Sequence, residues 1–260
     1  MLSRLRHLEI QQHLDRHGAV RVSELARRFD VTEETIRRDL VVMEKENLLQ
    51  RVHGGAIPLE SPQQAPPYHL REVAQVEAKR SIARRALQEI EEGDILFLDG
   101  STTAFQLARI FPDLRCTVLT HSEPIFRELS RRTQIELIST GGLYDRRSAS
   151  FVGPLAEQIL STCQITKAFL GCKGLDLERG FSDASVRDMN LKRSVIQCSE
   201  QVYVIADETK FSVRSRYIFA RPDEVFGVIS DRNLSPSRQQ ALHHHGIACL
   251  QESTQTQLAS

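Results

Sequence analysis

The residues best suited to chemistry stand where apolar runs end. Ile95-Leu96-Phe97-Leu98 leads into Asp99-Gly100-Ser101-Thr102-Thr103, which opens a helical stretch. Glycine lets a ligand approach the backbone closely. Amides and hydroxyls at a helix N-terminus can then cradle a phosphate. Ser and Thr also serve as ordinary N-caps, so this segment alone supports both readings. A second apolar run ends in Thr120-His121-Ser122, and a third in Thr140-Gly141-Gly142. Farther on, Val204-Ile205-Ala206-Asp207 leads to Thr209-Lys210-Phe211. A lysine there could meet a phosphate or a sugar hydroxyl, or pair with Asp207 or Glu208.

A different chemistry is written near the N-terminus. Two short helical stretches are joined by a tight turn at Asp30-Val31, the sequence form of a helix-turn-helix. The second helix must present its N-terminal turns to the DNA major groove. Its outward positions are Glu33, Glu34, Thr35, Arg37, Arg38 and Lys45. A guanidinium at Arg37 or Arg38 can pair with guanine edges or clamp phosphate oxygens. Ser23 and Thr32 are expected as N-caps of the two helices. Arg51 and His53 lie on a following hairpin and would meet the DNA backbone or minor groove. Gly54-Gly55 would let the hairpin tip come close. The bland alternative is a three-helix satellite whose surface arginines are merely solvated.

Other chemistries find little support. No Ser-His-Asp order, HExxH or phosphate-loop lysine motif stands in the chain. The odd, scattered set Cys116, Cys163, Cys172, Cys198 and Cys249 contains no CxxC pair, so reduced, packed thiols are expected. Cys172 beside Lys173 reads as a buried structural cysteine rather than a reactive thiol. His243-His244-His245 cannot converge on one ion from one helix. No metal and no cofactor are expected.

These groups need two kinds of scaffold. Leu5, Leu8, Ile10 and Leu14 form an apolar stripe ended by Gly18. Leu25, Ala26 and Phe29 face inward from the second helix, and Ile36, Leu40 and Met43 from the third. Asn47 can take a left-handed C-terminal position, and 48–53 reads as a short strand. Pro58, Pro62, Pro66 and Pro67 then mark a linker over 58–69. Residues 70–250 alternate helices, such as 79–92, with strands at 95–98, 117–120, 135–139, 168–170, 202–206 and 225–229. That pattern predicts an α/β fold with a mostly parallel sheet covered on both faces. Residues 251–260 read as a polar tail. The domain division is therefore 1–57, 58–69 and 70–250.

With 40% hydrophobic and 26% charged residues, the composition is that of a globular chain. There is no run long enough to span a bilayer and no apolar leader, so a cytoplasmic protein without a membrane partner is expected. The formal net charge is zero, and residues 1–56 carry ten Lys and Arg against nine Asp and Glu. DNA binding must therefore rest on where the basic groups sit.

Residues 22–26, Phe29, 31–40, Leu49, Arg51 and 53–56 together resemble the DeoR-type winged-helix signature. Asn47 stands where that family usually has Gly. The order of later motifs is also similar: Lys79 to Ala83, Asp99 to Thr102, Thr120 to Ser122, Gly141-Gly142, Ser150 to Gly153, Gly180-Phe181 and Asp207 to Phe211. His121, Lys173 and Asp188 depart from the usual pattern. The segment 147–157 looks closest to repressors of hexitol or glucitol use. The resemblance covers about residues 1–250. It implies a regulator with a sensor domain similar to ribose-5-phosphate isomerase and CoA-transferase folds.

It further implies a carbohydrate-operon repressor that binds double-stranded operator DNA as a dimer or tetramer. The implied DNA contacts are Ser23, Thr32, Glu34, Thr35, Arg37, Arg38, Arg51, His53, Gly54 and Gly55. The implied effector is a phosphorylated sugar or polyol. Asp99, Gly100, Ser101, Thr102 and Thr103 would hold its phosphate, and Thr120, His121, Ser122, Gly142 and Lys210 would close the pocket. An isomerase with an appended DNA module is the enzymatic alternative. The stretch from Gly171 to Asp176 lacks the acidic cluster such isomerases carry, so no catalysis is expected. A DNA-binding regulator that ignores sugars is the other alternative.

Overall fold

Local signals stop and start each helix of the N-terminal unit. A computed structural model describes residues 2–59 and 65–252. The chain divides into two compact units, 1–74 and 75–260. Helix α1 (Ser3–His17) ends at Gly18, which takes φ +72°. Strand β1 (Val20–Arg21) feeds directly into α2 (Val22–Phe29), which stops at left-handed Asp30. Helix α3 (Glu33–Lys45) starts at Thr32, whose hydroxyl accepts the Thr35 amide. Asn47 follows it at φ +53°, the conformation expected of it. Strands β2 (Gln50–Val52) and β3 (Gly55–Ile57) complete a small antiparallel sheet in the order β1-β3-β2.

Two local expectations need correction. Ser23 is not an N-cap; Arg21 holds that position because β1 delivers extended chain straight into the helix. Gly55 does not sit at the hairpin tip. It is buried, and a Cβ there would lie 2.0 Å from the Val20 carbonyl oxygen. The strand pairing of Arg21 with Gly55 therefore demands glycine, while Gly54 makes the turn at φ +78°.

The core of this unit contains Ile10, Leu14, Leu25, Phe29, Ile36, Leu40 and Met43. Leu5 is exposed, so the stripe on α1 is narrower than its sequence implies. A buried Arg–Asp pair, joined by a histidine, pins α1 to α3. The Asp39 carboxylate accepts Arg6 Nε at 2.5 Å and Nη2 at 3.0 Å, and lies 2.9 Å from His7 Nε2. The hydrogen bond from Arg6 to Asp39 raises the guanidinium pKa further.

Helix α4 (Tyr68–Val73) belongs to this unit, because Leu70 packs into the same core. The boundary thus lies at 74/75 rather than at 69/70. Residues 60–64 of the linker lie outside the described residues.

The second unit is built on a seven-stranded parallel sheet. Its first half contains α5 (Val76–Leu87), β4 (Ile95–Leu98), α6 (Thr102–Ile110), β5 (Cys116–Thr120), α7 (Glu123–Leu129) and β6 (Ile135–Ser139). A hairpin, β7 (Leu143–Asp145) and β8 (Ser150–Val152), leads to α8 (Pro154–Leu160) and β9 (Ile165–Gly171). Then come β10 (Gly174–Asp176), β11 (Gly180–Asp183), α9 (Val186–Gln197), β12 (Ser199–Ile205), β13 (Tyr217–Ala220), β14 (Gly227–Ser230), α10 (Pro236–His244) and β15 (Ala248–Gln251).

The sheet order is β15-β14-β12-β9-β4-β5-β6, with β10-β11-β13 forming a separate antiparallel sheet. Strand residues alternate between two cores. Phe97, Ala168, Leu170 and Val204 face one; Leu96, Leu98, Phe169 and Tyr203 face the other. The expected helix over 79–92 ends at Leu87, before Gly93 turns the chain at φ +88°. The supposed tail begins too early, since Gln251 closes β15 and Glu252 accepts hydrogen bonds from Ser81 and Arg84. Residues 253–260 lie outside the described residues.

The chain runs outward from β4 through β5 to β6, then returns to place β9 on the other side of β4. The order reverses between β4 and β9. In open parallel sheets ligands bind at the strands' C-terminal ends, at such a switch point.

The Arg6–Asp39 pair gives a direct test. Asp39→Ala leaves Arg6 buried without its partner, and breaking a buried pair costs about 3–5 kcal/mol. Thermal unfolding followed by circular dichroism should show early melting of the N-terminal unit.

Candidate nucleic-acid interface and effector site

Helix α3 exposes Glu33, Glu34, Arg37 and Arg38 on one surface, with Thr35 half-buried beside its cap. Arg37 Nη2 pairs with Glu33 at 2.8 Å and Arg38 Nε with Glu34 at 3.1 Å, both one helical turn away. Exposed pairs of this kind contribute roughly 0.3–0.5 kcal/mol, so a DNA phosphate or guanine can displace the carboxylate cheaply. Arg51 is exposed on β2; its amide donates to Glu44 Oε1 at 2.9 Å. His53 and Gly54 are exposed at the hairpin turn, and Ser23 is exposed on α2. Gly55 is the exception, buried beneath β1.

At the switch point, Asp99 is the bridge. Its Oδ1 accepts the Ser101 amide at 3.0 Å, and its Oδ2 accepts the Gly171 amide at 2.8 Å. This ties the end of β4 to the end of β9. Ser101 then caps α6 by accepting the Ala104 amide at 3.1 Å. Gly100 must be glycine, since a Cβ would meet Ser150 Oγ at 2.4 Å and His121 Nε2 at 2.9 Å. The Gly100 and Thr103 amides donate to nothing among the described residues. They lie at the start of a nine-residue helix that follows the C-terminal end of β4.

The neighbouring strand end is held just as firmly. Thr120 Oγ1 donates to the Leu98 carbonyl at 2.7 Å and accepts the Ser122 amide at 3.1 Å. Ser122 caps α7. The Phe151 amide donates to the His121 carbonyl at 2.7 Å, which brings hairpin β7-β8 over the site. His121 is buried and stacks on Phe97, with ring centroids 5.7 Å apart. Burial pushes its pKa down to about 4, against the pull of Asp99. Its Nδ1 is buried without a partner.

Two residues expected at the site sit differently. Gly142, at φ +113°, packs against the Val152 carbonyl and Ala156, so its backbone serves the hairpin. Lys210 lies in a 3-10 turn after β12, 3.8 Å from Asp207, and donates to Thr209 Oγ1 at 3.2 Å. Its partners lie in its own turn, not in 99–103.

The main group missed by sequence reasoning is Lys192. Its buried ammonium donates to Asp183 Oδ2 and the Gly171 carbonyl, both at 2.6 Å, and lies 3.4 Å from Asp99 Oδ2. Burial alone would raise the Asp183 carboxyl, but Lys192, Lys173 and the Ala184 amide together outweigh it and hold the group down at about 2. Asp99 is likewise held low, with Lys192 and Ser101 overcoming its burial. Lys192 was visible as a lysine on the apolar stripe of α9 with Val195, yet its partners come from distant segments. Ser150 was visible only as part of a motif. Cys172 is pushed up to about 12 by burial, so it is a packed thiol.

Residues 6–62 match the DeoR-like helix-turn-helix domain, and residues 74–232 match the DeoR C terminal sensor domain. The chain is 40% identical to the uncharacterized HTH-type transcriptional regulator YulB of Bacillus subtilis, covering 93% of this chain and 94% of that protein. It is 32% identical to the L-fucose operon activator of Haemophilus influenzae, covering 92% and 96%. It is 33% identical to the transcriptional repressor AccR of Agrobacterium fabrum, covering 81% and 82%. These relatives do not support a hexitol or glucitol subgroup. Among solved structures, ribose 5-phosphate isomerase A of Methanocaldococcus jannaschii aligns at TM-score 0.40 and 14% identity, covering 53% of this chain and 55% of that one. No helix among the described residues is long and apolar enough to cross a membrane.

The low His121 pKa has a definite pH signature. A base depressed in the folded state contributes stability that is present above its unfolded pKa, near 6.5, and is lost as pH falls toward about 4. His121→Asn should therefore flatten the decline in melting temperature between those values. Parallel pH profiles of the two proteins check this.

Proposed function

The chain belongs to the DeoR family of transcription regulators, and from that premise we propose a ligand-gated repressor of a carbohydrate-utilisation operon. It binds double-stranded operator DNA as a homo-oligomer, and a phosphorylated sugar or polyol controls that binding. The operator is read by α3. Arg37 and Arg38 supply the base or phosphate contacts, Thr32, Glu34 and Thr35 flank them, and Ser23, Arg51, His53 and Gly54 meet the DNA backbone. Gly55 contributes by shaping the hairpin. Symmetric oligomers read repeated half-sites about 34–36 Å apart.

The effector reading rests on one observation above all. At the β4/β9 switch point, the Gly100 and Thr103 amides are unclaimed at the start of α6, beside the Ser101 and Thr102 hydroxyls. Unsatisfied amides at a helix N-terminus favour an anion, and the helix dipole adds to the attraction. Asp99 holds this turn rigid rather than touching phosphate, because both its oxygens are already engaged. His121, neutral above pH 4, offers a hydrogen bond rather than a charge. Ser122 and Thr120 fix the neighbouring loop, and Lys210 supplies a movable cation from the 3-10 turn after β12.

A ligand shifts an equilibrium only through its differential affinity for two states. The effector must therefore favour one arrangement of the sensor unit, and with it one spacing of the reading heads. The carboxylates nearest the cradle are locked to Lys192, which favours sensing over proton transfer.

Fluorescence anisotropy on the native upstream DNA, at fixed salt, tests the proposal. Arg38→Ala should weaken specific binding by about 5- to 150-fold, the equivalent of 1–3 kcal/mol. One member of a panel of sugar and polyol phosphates should release the wild-type protein. Specific binding that persists through the whole panel would remove the sensing half of the proposal and leave the DNA half standing.

A further inference from the structure

Helices α5 and α6 lie side by side on one face of the large sheet, sharing a core of Ile82, Ala83, Ala86, Ala104 and Leu107. Ala83 is small, and a cleft of about 210 Å³ opens between the helices above it. Arg80, Arg84, Gln106, Arg109 and Ile110 line it with Ala83. The spacing follows from helix geometry: Arg80 and Arg84 are one turn apart on α5, as are Gln106, Arg109 and Ile110 on α6.

Three observations give this cleft a preference. Arg84 is locked in place by Glu252, which accepts its Nε at 2.8 Å and Nη2 at 3.1 Å. Arg80 is held only by an exposed pair with Glu77, and Arg109 has no partner among the described residues. Two guanidiniums, one from each helix, are thus free to turn inward. Gln106 is 5% exposed, and its amide makes no hydrogen bond among the described residues. The amide atoms are not sealed in the core, so they open onto the cleft. The amide lines the cleft and offers both a donor and an acceptor beside the arginines.

We propose that this cleft is a second anion site, distinct from the strand-end cradle, that takes the phosphate monoester of a small hydroxylated molecule. Arg80 and Arg109 clamp the phosphate oxygens, as guanidinium forks do. Gln106 meets a hydroxyl next to the ester, and Ala83 and Ile110 provide a short apolar wall. Arg84, held by a Glu252 that it shares with Arg232, shapes the floor.

Isothermal titration of the full-length protein with inorganic phosphate and with glycerol phosphate, at constant ionic strength, tests this. Glycerol phosphate should bind several-fold tighter than inorganic phosphate. Arg109→Ala alters an exposed side chain and should keep its far-ultraviolet circular dichroism while weakening a binding event at least tenfold. Gln106→Leu should retain phosphate binding, lose the preference for the glycerol ester and keep its far-ultraviolet circular dichroism. Ser101→Ala reports separately on the strand-end cradle. Isotherms that Arg109→Ala leaves unchanged overturn the second site, whatever Ser101→Ala does. Loss in Arg109→Ala alone supports it, even if the cradle binds nothing.

Discussion

A charged ammonium with almost no access to water is costly unless its partners are close and well aimed. Lys192 meets that condition through three groups drawn from separate places. Asp183 comes from the end of β11, the Gly171 carbonyl from the end of β9 and Asp99 from the end of β4. Any displacement of these strand ends relative to α9 would strand a buried charge. The geometry of the switch point is therefore not a soft feature of loops. It is enforced by an interaction that tolerates little error, and the turn from Gly100 to Thr103 inherits that rigidity through Asp99. Rigidity is what an anion cradle needs, because amides that must reorganise to meet a phosphate lose much of their value. Phe219 adds to the enclosure, with its ring centroid 4.8 Å from the ammonium.

The N-terminal unit uses the same device at smaller scale. Asp39 stands in α3 beside Arg37 and Arg38, yet it points inward to Arg6 and His7. The run Arg37-Arg38-Asp39 thus combines two solvent-facing cations with one buried anchor. The anchor fixes the rotation of α3 about its axis, and so decides which residues face outward.

Local features were legible in the sequence, and long-range ones were not. Thr32, Gly18, Asp30 and Asn47 act through neighbours within a few residues, so their types alone identify helix ends. The parallel strands were legible because a strand covered on both faces reads as a continuous apolar run. The hairpin at 143–152 and the sheet β10-β11-β13 escaped, since three- and four-residue strands carry too little pattern. Gly55 and Gly100 announced themselves as glycines, but the reason lay in the Val20 carbonyl and the Ser150 side chain, which only tertiary structure brings near. Lys192 was hardest. A lysine on an apolar stripe resembles an irregularity until Asp99, Asp183 and Gly171 arrive from 93, 9 and 21 positions away.

Burial sorts chemically identical pairs into two roles. Arg6 with Asp39 and Arg37 with Glu33 are both guanidinium–carboxylate contacts under 3 Å. The first is dry and irreplaceable, because parting it leaves a charge with no solvent to accept it. The second is half in water, where a phosphate of DNA can take the carboxylate's place at little net cost. Lys192 and Lys210 divide in the same way, one sealed among carboxylates and the other 33% exposed beside Asp207. A regulator must hold some charges fixed and leave others exchangeable, since binding that is both specific and releasable depends on the second kind being presented by the first. Here the fixed pairs lie beneath α3 and behind the switch point, while Arg37, Arg38 and Lys210 keep their charges in reach of water.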